Sequence, residues 1–220
     1  MSDPSPSGHV VSVDIVSDVM CPWCIVGYRQ LEQALAHTGM GARIRWHPFE
    51  LNPDMPEGGQ NLAEHIQQKY GSSPEDSTRA RAQLTALGAS LGITFAFSDD
   101  SRIVNSFLAH QALDFALSQG KQHPLKLALF EAHFAQARDV SQKSVLLEVA
   151  QSVGLDAAEM DRVLTSGQMA QSVREKEAFW TKQGVSGVPT MIFEGKYAIT
   201  GAQGAENYAT LLTRLAQEAA

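Results

Sequence analysis

The chain has 220 residues, of which 44% are hydrophobic and 19% are charged, a composition typical of a globular protein and not of a disordered one. Its length suits one domain, or one domain with a large insertion, and its net charge of −7 argues against general nucleic-acid binding. Two cysteines, Cys21 and Cys24, are too few for a disulfide-rich scaffold or for a four-cysteine zinc site.

The N-terminal segment, residues 1–9, contains neither Lys nor Arg, and Asp14 and Asp18 interrupt the apolar stretch that follows it. A secretion signal has a cationic start and an unbroken apolar run, so none is predicted. No stretch approaches the roughly 18 consecutive apolar residues of a membrane helix. Taking Met1 as the natural start, we expect a cytoplasmic protein with no membrane partner and with reduced thiols.

The first elements are predicted to be a strand, a helix and a second strand. Residues 10–16 are rich in Val and Ile and indicate a buried strand. Residues 22–37 have apolar side chains at helical spacing, and Gly39 follows them as a stop signal. Residues 42–49 alternate between apolar and charged side chains, which indicates the second strand.

Residues 60–183 are predicted to be almost wholly helical, because their apolar residues recur three and four positions apart. The clearest helix covers residues 101–119, and another begins at His123-Pro124 and continues to Ala137. Further helices are predicted for residues 62–70, 74–91, 142–153, 157–164 and 168–183.

The pattern returns to strands near the C-terminus. Residues 190–193 and 197–200 indicate a hairpin, and residues 206–217 indicate a closing helix. Neither outer part of the chain can bury enough surface alone, so we predict that the two form one α/β sheet domain. Its first part covers residues 9–59, an all-helical domain is inserted at residues 60–166, and its second part covers residues 167–220.

The motif Cys21-Pro22-Trp23-Cys24 separates the first strand from the first helix. Backbone N–H groups at a helix N-terminus stabilise a thiolate, so Cys21 is predicted to be the exposed nucleophile, and Pro22 suits the first turn. Cys24 follows nearly one turn later, so it can resolve a mixed disulfide. Pro22 and Trp23, the two central residues of the motif, are expected to tune the redox potential. Trp23 is either exposed, where it contacts substrate, or packed against the helical block.

Two acidic residues and a candidate zinc ligand lie near the cysteines in sequence. Asp14 is either a buried carboxylate that takes a proton from Cys24 or a strand-end acid that faces water. Asp18 is expected to line the turn. In a zinc site, His37 would be a ligand, since twelve residues separate it from Cys24. But nine residues, instead of three to five, separate His37 from the next histidine, so no metal is predicted.

The motif Gly187-Val188-Pro189-Thr190 precedes a predicted strand, and proline is confined to strand starts and edges. Together with the cysteine pair and the order β-α-β … α-β-β-α, it resembles the thioredoxin superfamily, and within it the DsbA-like branch. The stretches SDVMCPWC, WHPFELNPD and SGVPTMIFEGKYAITGAQG resemble the FrnE-like members, which are predicted dithiol–disulfide oxidoreductases or isomerases.

The resemblance implies Cys21 as nucleophile, Cys24 as resolving thiol, and Val188-Pro189 as a cis-proline loop whose backbone binds substrate peptide. It implies no cofactor beyond the Cys21–Cys24 disulfide. The implied partners are proteins or peptides with thiols or disulfides, and glutathione is a candidate redox partner. Asn105 resembles part of a subgroup signature and either lines the groove that faces the cysteines, as a substrate-binding residue, or lies on a solvated helix face.

Two other functions stay open. Kappa-class glutathione transferases and 2-hydroxychromene-2-carboxylate isomerases resemble this chain in having the inserted helical domain. That group is similar to an enzyme that uses Ser at the position of Cys21 and has no second thiol. A non-catalytic binding or chaperone module is the other alternative. The cysteine pair favours the redox enzyme, because a lone Ser cannot carry out two-electron redox chemistry. The direction of electron flow, the substrate and the oligomeric state stay open.

Overall fold

The computed structural model describes residues 9–219, so residues 1–8 of the segment assessed for a secretion signal, and Ala220, lie outside the described part. The strands are β1 (Val10–Ser17), β2 (Gly41–Pro48), β3 (Gln60–Asn61), β4 (Arg102–Ile103), β5 (Thr190–Phe193) and β6 (Tyr197–Thr200). The helices are α1 (Pro22–Thr38), α2 (Leu62–Tyr70), α3 (Pro74–Ser90), α4 (Phe107–Ser118), α5 (Gln122–Phe130), α6 (Lys143–Ser152), α7 (Ala157–Ser166), α8 (Ala170–Lys182) and α9 (Ala205–Glu218). A π-helix, Glu131–Ala135, follows α5 directly.

A four-stranded sheet in the order β2-β1-β5-β6 forms the centre of the fold. β1 is parallel to β2 and antiparallel to β5, and β5 and β6 form the predicted hairpin. Val13 and Ile15 of β1 share a buried cluster with Leu31 of α1 and Leu212 of α9, two helices that pack against each other. This arrangement confirms the predicted α/β thioredoxin-like fold and its order β-α-β … α-β-β-α.

A second buried cluster holds the inserted helices together, with Leu113, Leu125, Leu146 and Met160 contributed by α4 to α7. The helices predicted at residues 62–70, 74–91, 142–153 and 157–164 are present, with ends within two residues of the prediction. The limits of the domains stay a prediction. Within residues 9–219, no helix combines the length and the apolar character needed to cross a membrane.

The prediction that the inserted region is all-helical is wrong at one place. β3 and β4 form a two-stranded antiparallel sheet, and the helix predicted at residues 101–119 begins only at Phe107. The physical reason is that the Arg102 guanidinium donates hydrogen bonds to the carbonyl oxygens of Gly58 and Gly59. These contacts hold the segment extended against β3.

The helix predicted from His123 to Ala137 is α-helical over only part of its length. α-Helical hydrogen bonding ends at Phe130, and the Gln136 N–H donates to the Glu131 carbonyl oxygen in the π-helical pattern. π-Helical turns inside helices occur often at functional sites. Here the turn carries His133 and Phe134, which line a cavity of about 570 Å³.

Candidate active site

The two cysteines lie where β1 leads into α1. Cys21 is the N-cap of α1, Pro22 stands in the first turn, and the Cys24 N–H donates a 3.0 Å hydrogen bond to the Cys21 carbonyl oxygen. Both thiols are free, and both residues are buried, Cys21 at 3% and Cys24 at 0% exposure. The prediction of an exposed Cys21 is therefore wrong, because inserted helices cover this end of the sheet. Cys21 is reached through a cavity instead of from the outer surface.

The loop before β5 lies directly against Cys21. The Cys21 thiol donates a hydrogen bond to the Val188 carbonyl oxygen, with 3.6 Å between the sulfur and the oxygen. The peptide bond between Val188 and Pro189 is cis. The two sequence motifs, which are far apart along the chain, thus meet at one sulfur atom.

A cavity of about 570 Å³ begins at Cys21 and extends under α2 and α3. Its walls are mainly apolar and include Leu51, Leu84, Phe97 and Phe134. Trp23 also lines it and is 48% exposed, in agreement with the exposed alternative. Its volume falls in the range of about 300–1,000 Å³ that is usual for sites binding small molecules.

The two thiols titrate as a pair. Burial alone would raise the pKa of the Cys24 thiol, but the hydrogen bond with the Cys21 sulfur, the charge of Lys126 and the Ser17 hydroxyl together lower it. The same hydrogen bond, together with burial, raises the pKa of the Cys21 thiol well above its usual range. The hydrogen bond between the two sulfurs therefore favours a single negative charge on the cysteine pair over two.

Asp14 does not lie beneath the cysteines. Its carboxylate is 29% exposed and lies 2.7 Å from Nε2 of His47 on β2. Alternate residues of a strand face opposite sides of a sheet, so Asp14 and Ser17, which interacts with Cys24, are on opposite faces. The interpretation of Asp14 as a buried proton acceptor is therefore wrong.

Asn105 is placed by backbone contacts and does not line the cavity. Its amide nitrogen donates to the Met55 carbonyl oxygen at 3.2 Å, and its amide oxygen accepts from the Phe107 N–H at 2.9 Å. The Asn105 side chain thus accepts a hydrogen bond from an N–H group at the start of α4. Both its amide nitrogen and its amide oxygen are hydrogen-bonded to the backbone. Asn105 therefore lies one residue before Ser106, the N-cap of α4, and outside the cavity lining, which does not agree with the interpretation as a substrate-binding residue.

Asp18 is buried at the turn before α1, close to the cysteines. Its carboxylate accepts hydrogen bonds from the N–H groups of Met20 and Leu51, and one of its oxygens lies 3.5 Å from Nε2 of His110 on α4. Burial raises the pKa of Asp18, but His110 and the backbone donors outweigh burial and hold the pKa below its usual value. The prediction that Asp18 lines the turn agrees with these contacts.

Lys126 is a charged residue near the cysteines that the sequence analysis missed. It is 1% exposed, on α5 of the inserted region. The sequence held one signal, because Lys126 falls within the apolar stripe that includes Leu125, Leu129 and Phe130. Among residues 9–219, no three His, Cys, Asp or Glu side chains form a group that could hold a metal ion.

Two solved structures with low sequence identity show a similar fold. A 2-hydroxychromene-2-carboxylate isomerase is 17% identical, with a TM-score of 0.71 and coverage of 94% of this chain and 97% of that one. The cytosolic disulfide reductase DsbM from Pseudomonas aeruginosa, solved with GSH, is 17% identical, with a TM-score of 0.63 and coverage of 93% and 98%.

A third structure is more similar in sequence. SCO1869 from Streptomyces coelicolor, described as a probable DsbA oxidoreductase, is 32% identical, with a TM-score of 0.85 and coverage of 93% of this chain and 89% of that one. The profile of the DSBA-like thioredoxin domain matches residues 12–213, which include both motifs and the whole inserted region. The chain therefore belongs to the DsbA-like thioredoxin domain family.

Proposed function

We propose that this protein is a FrnE-like thiol–disulfide oxidoreductase that acts through Cys21 and Cys24 as a reductase or isomerase. The observation that carries the proposal is the position of the Cys21 sulfur. It lines the cavity and contacts the Val188 carbonyl oxygen at 3.6 Å, and Cys24 follows nearly one helical turn later. A substrate sulfur in the cavity can therefore reach Cys21 first.

The exchange begins when Cys21 loses its proton to solvent and the Cys21 thiolate attacks a substrate disulfide, R–S–S–R′. A bond forms between Cys21 and the R–S sulfur, the substrate disulfide bond breaks, and R′–S⁻ leaves and takes a proton from water. Cys24 then loses its proton to solvent and attacks Cys21, so the Cys21–Cys24 disulfide forms and R–S⁻ leaves. The substrate gains two electrons and the cysteine pair loses two, which two thiol molecules such as glutathione restore.

The proposed partners follow from the cavity beside Cys21. An extended peptide or a small molecule with a disulfide fits an apolar cavity of about 570 Å³ better than the flat surface of a folded protein does. Glutathione as redox partner and a cytoplasmic location are part of the proposal, supported by the similarity to DsbM, which is described as cytosolic and was solved with GSH.

Reduction of insulin disulfides, with dithiothreitol or glutathione as electron donor, tests the proposal. The wild type is expected to accelerate the reaction. Cys21→Ser is expected to abolish the acceleration, and Cys24→Ser is expected to accumulate a mixed disulfide at Cys21 that mass spectrometry detects. An inactive wild type with every donor, or full activity in both variants, would overturn the proposal.

The direction of exchange is tested by the reduction potential of the Cys21–Cys24 pair, measured by equilibration with glutathione buffers. A potential near the cytosolic glutathione poise of about −220 to −260 mV supports a reductase or isomerase. A potential near the roughly −120 mV of strongly oxidising CxxC proteins would replace that direction with disulfide formation.

The similarity to the 2-hydroxychromene-2-carboxylate isomerase favours a second candidate, a glutathione-dependent transferase or isomerase of the kappa-class type. That function uses bound glutathione and needs no cysteine pair. Isothermal titration with glutathione separates the two candidates. Micromolar binding that persists in Cys21→Ser supports the second candidate, whereas binding that is absent or is lost with the thiol supports the first.

A further inference from the structure

Helix α2 presents apolar side chains to the cavity that protein atoms cover only in part. Leu62, Ile66 and Tyr70 follow one another at a spacing of four residues, so they share one face of α2, and all three line the cavity. No residue of α2 is buried. An amphipathic helix usually packs its apolar face against the protein core. The apolar face of α2 is therefore available to a ligand in the cavity.

The other walls of the cavity are apolar as well and continue to the reactive sulfur. Helix α3 contributes Leu84, and the loop after β2 contributes Leu51. Phe97 and Phe134 come from elsewhere in the inserted region. Leu84 and Phe134 belong to the same buried cluster as Cys21. A ligand that fills this cavity thus lies against apolar side chains from Cys21 to the far end under α2 and α3.

The charged side chains that border the cavity do not favour a ligand of either sign. Three arginines and three aspartates line it, so their formal charges cancel, and none of the six is buried. They are Asp76, Arg81, Asp100, Arg102, Arg138 and Asp139. Burial lowers the pKa of His65 and of His133, which also line the cavity, so both side chains are mainly neutral at pH 7. Burial of apolar surface is therefore the main source of affinity that the cavity offers.

We propose that the cavity binds an uncharged apolar group attached to the sulfur that Cys21 attacks, so that the protein acts on disulfides of apolar thiols in preference to glutathione disulfide. This inference rests on the proposed function and names the class of its substrate. Glutathione carries carboxylate groups, for which the walls supply no excess of positive charge. In a mixed disulfide of glutathione with an apolar thiol, written R–S–S–G, the R group enters the cavity and the glutathione half stays outside.

This binding mode decides which of the two substrate sulfurs is attacked. The Cys21 thiolate attacks the R–S sulfur, a bond forms between Cys21 and R–S, and the disulfide bond to glutathione breaks. The glutathione thiolate leaves and takes a proton from water. Cys24 then loses its proton to solvent and attacks Cys21, which releases R–S⁻. The substrate gains two electrons and the cysteine pair loses two, which glutathione restores as in the proposed function.

The test uses Cys24→Ser, in which an adduct on Cys21 is not resolved. Two substrates are compared: the mixed disulfides of glutathione with N-acetylcysteine benzylamide and with N-acetylcysteine methylamide. The two thiols differ only in a group remote from the sulfur, so their intrinsic reactivities are matched. Mass spectrometry identifies the half that is attached to Cys21 and follows the rate at which the adduct forms.

The benzylamide half is expected on Cys21. Its adduct is expected to form about 10- to 100-fold faster than the methylamide adduct, which is the gain from burying one aromatic ring. Glutathione as the main adduct on Cys21, or equal rates with the two substrates, would overturn the inference.

A change in the cavity wall tests where the apolar group binds. Ile66→Gln places a polar group on the cavity face of α2 and is expected to lower the ratio of the benzylamide rate to the methylamide rate severalfold. Ala86→Gln, at an exposed position of α3 that does not line the cavity, is the matched control, with an unchanged ratio. The same ratio in both variants would place the apolar group outside the cavity and overturn the inference.

A thioether separates this inference from the proposed function, because it has no disulfide to exchange. N-acetyl-S-methylcysteine benzylamide is titrated calorimetrically into the reduced wild type, with the corresponding methylamide as control. Tighter binding of the benzylamide to a protein that exchanges no disulfide would overturn the proposed function and leave the apolar site standing. Exchange without a preference for the benzylamide half would overturn the inference and leave the proposed function standing.

Discussion

The Cys21 sulfur lies 3.6 Å from the Val188 carbonyl oxygen, although 167 positions separate the two residues in sequence. Gly27, on the next turns of α1, makes this approach feasible. A Cβ atom at Gly27 would lie 3.2 Å from Cγ of Pro189 and 3.3 Å from Cε of Met191, which is tighter than most real contacts. The distance between α1 and the loop before β5 therefore depends on a residue that has no side chain.

Gly27→Val is expected to destabilise the protein by about 1–3 kcal/mol, because a branched side chain overpacks this contact. It is also expected to slow insulin reduction, since Pro189 and with it Val188 move away from Cys21. Urea unfolding and the insulin assay measure the two effects. Ala36→Val, at an exposed position of the same helix, is the control, with an expected loss below about 1 kcal/mol and normal activity. Equal behaviour of the two variants would contradict the prediction.

The cavity under α2 and α3 gives a prediction about substrate access. Ala80 on α3 lines the cavity, and Ala80→Trp is expected to fill part of it and to raise the KM for peptide disulfides severalfold. Alkylation of Cys21 by iodoacetamide is expected to change little, since the reagent is small. Ala86→Trp, on an exposed position of α3 that does not line the cavity, is the control. The same KM in both variants would show that peptide disulfides do not enter the cavity.

The parts of the site that the sequence predicted are those governed by local rules. Cys21, Pro22 and Cys24 follow helix-start chemistry, which involves only neighbouring residues, and the hairpin at β5 and β6 follows a turn signal. The misinterpretation of Asp14 has a different origin. Packing between distant segments decides which face of the central sheet lies under α1. Because successive side chains of β1 point to opposite faces, Asp14 then lies on the face opposite to Cys24.

Lys126 shows a second limit of the sequence pattern. A charged residue inside an apolar stripe indicates that something buried must neutralise it, but the pattern does not tell which segment supplies the partner. Here α5 packs on β2, and that contact brings Lys126 to the cluster of Cys21 and Cys24. The partner therefore becomes visible only when the inserted region and the sheet are seen together.

Asp18 gives a prediction about acid stability. Because the folded-state pKa of Asp18 lies below its ordinary value of 3.8, the carboxylate stabilises the fold above pH 3.8, and this contribution is lost as the pH falls further. Asp18→Asn is expected to cost about 1–3 kcal/mol near pH 6, and this deficit is expected to shrink below pH 3.8.

Urea unfolding of both proteins between about pH 3 and 6 measures the deficit across the ionisation of Asp18. Asp14→Asn is the matched control, because that carboxylate is 29% exposed and its pair with His47 is expected to contribute less than about 1 kcal/mol. A deficit in Asp18→Asn that stays constant over the whole pH range would contradict the assignment of the Asp18 charge as the stabilising feature.

Lys126→Met is expected to stabilise the reduced protein at pH 7 by on the order of 1–3 kcal/mol, because burial lowers the pKa of the Lys126 ammonium and an apolar side chain of similar volume carries no such cost. The pKa of Lys126 falls from 10.5 in the unfolded chain to about 8 in the fold. Between these two values the unfolded chain binds more protons than the folded one, so the wild type gains stability relative to the variant as the pH rises.

The difference in unfolding free energy between Lys126→Met and the wild type is therefore expected to shrink steadily from pH 8 to pH 10.5, as urea unfolding in the presence of a reductant can measure. Lys143→Met, which removes an exposed lysine, is expected to show a small difference that does not change over this interval. A constant advantage of Lys126→Met would contradict the lowered pKa of Lys126 and would assign the gain in stability to the apolar contacts of the Met side chain.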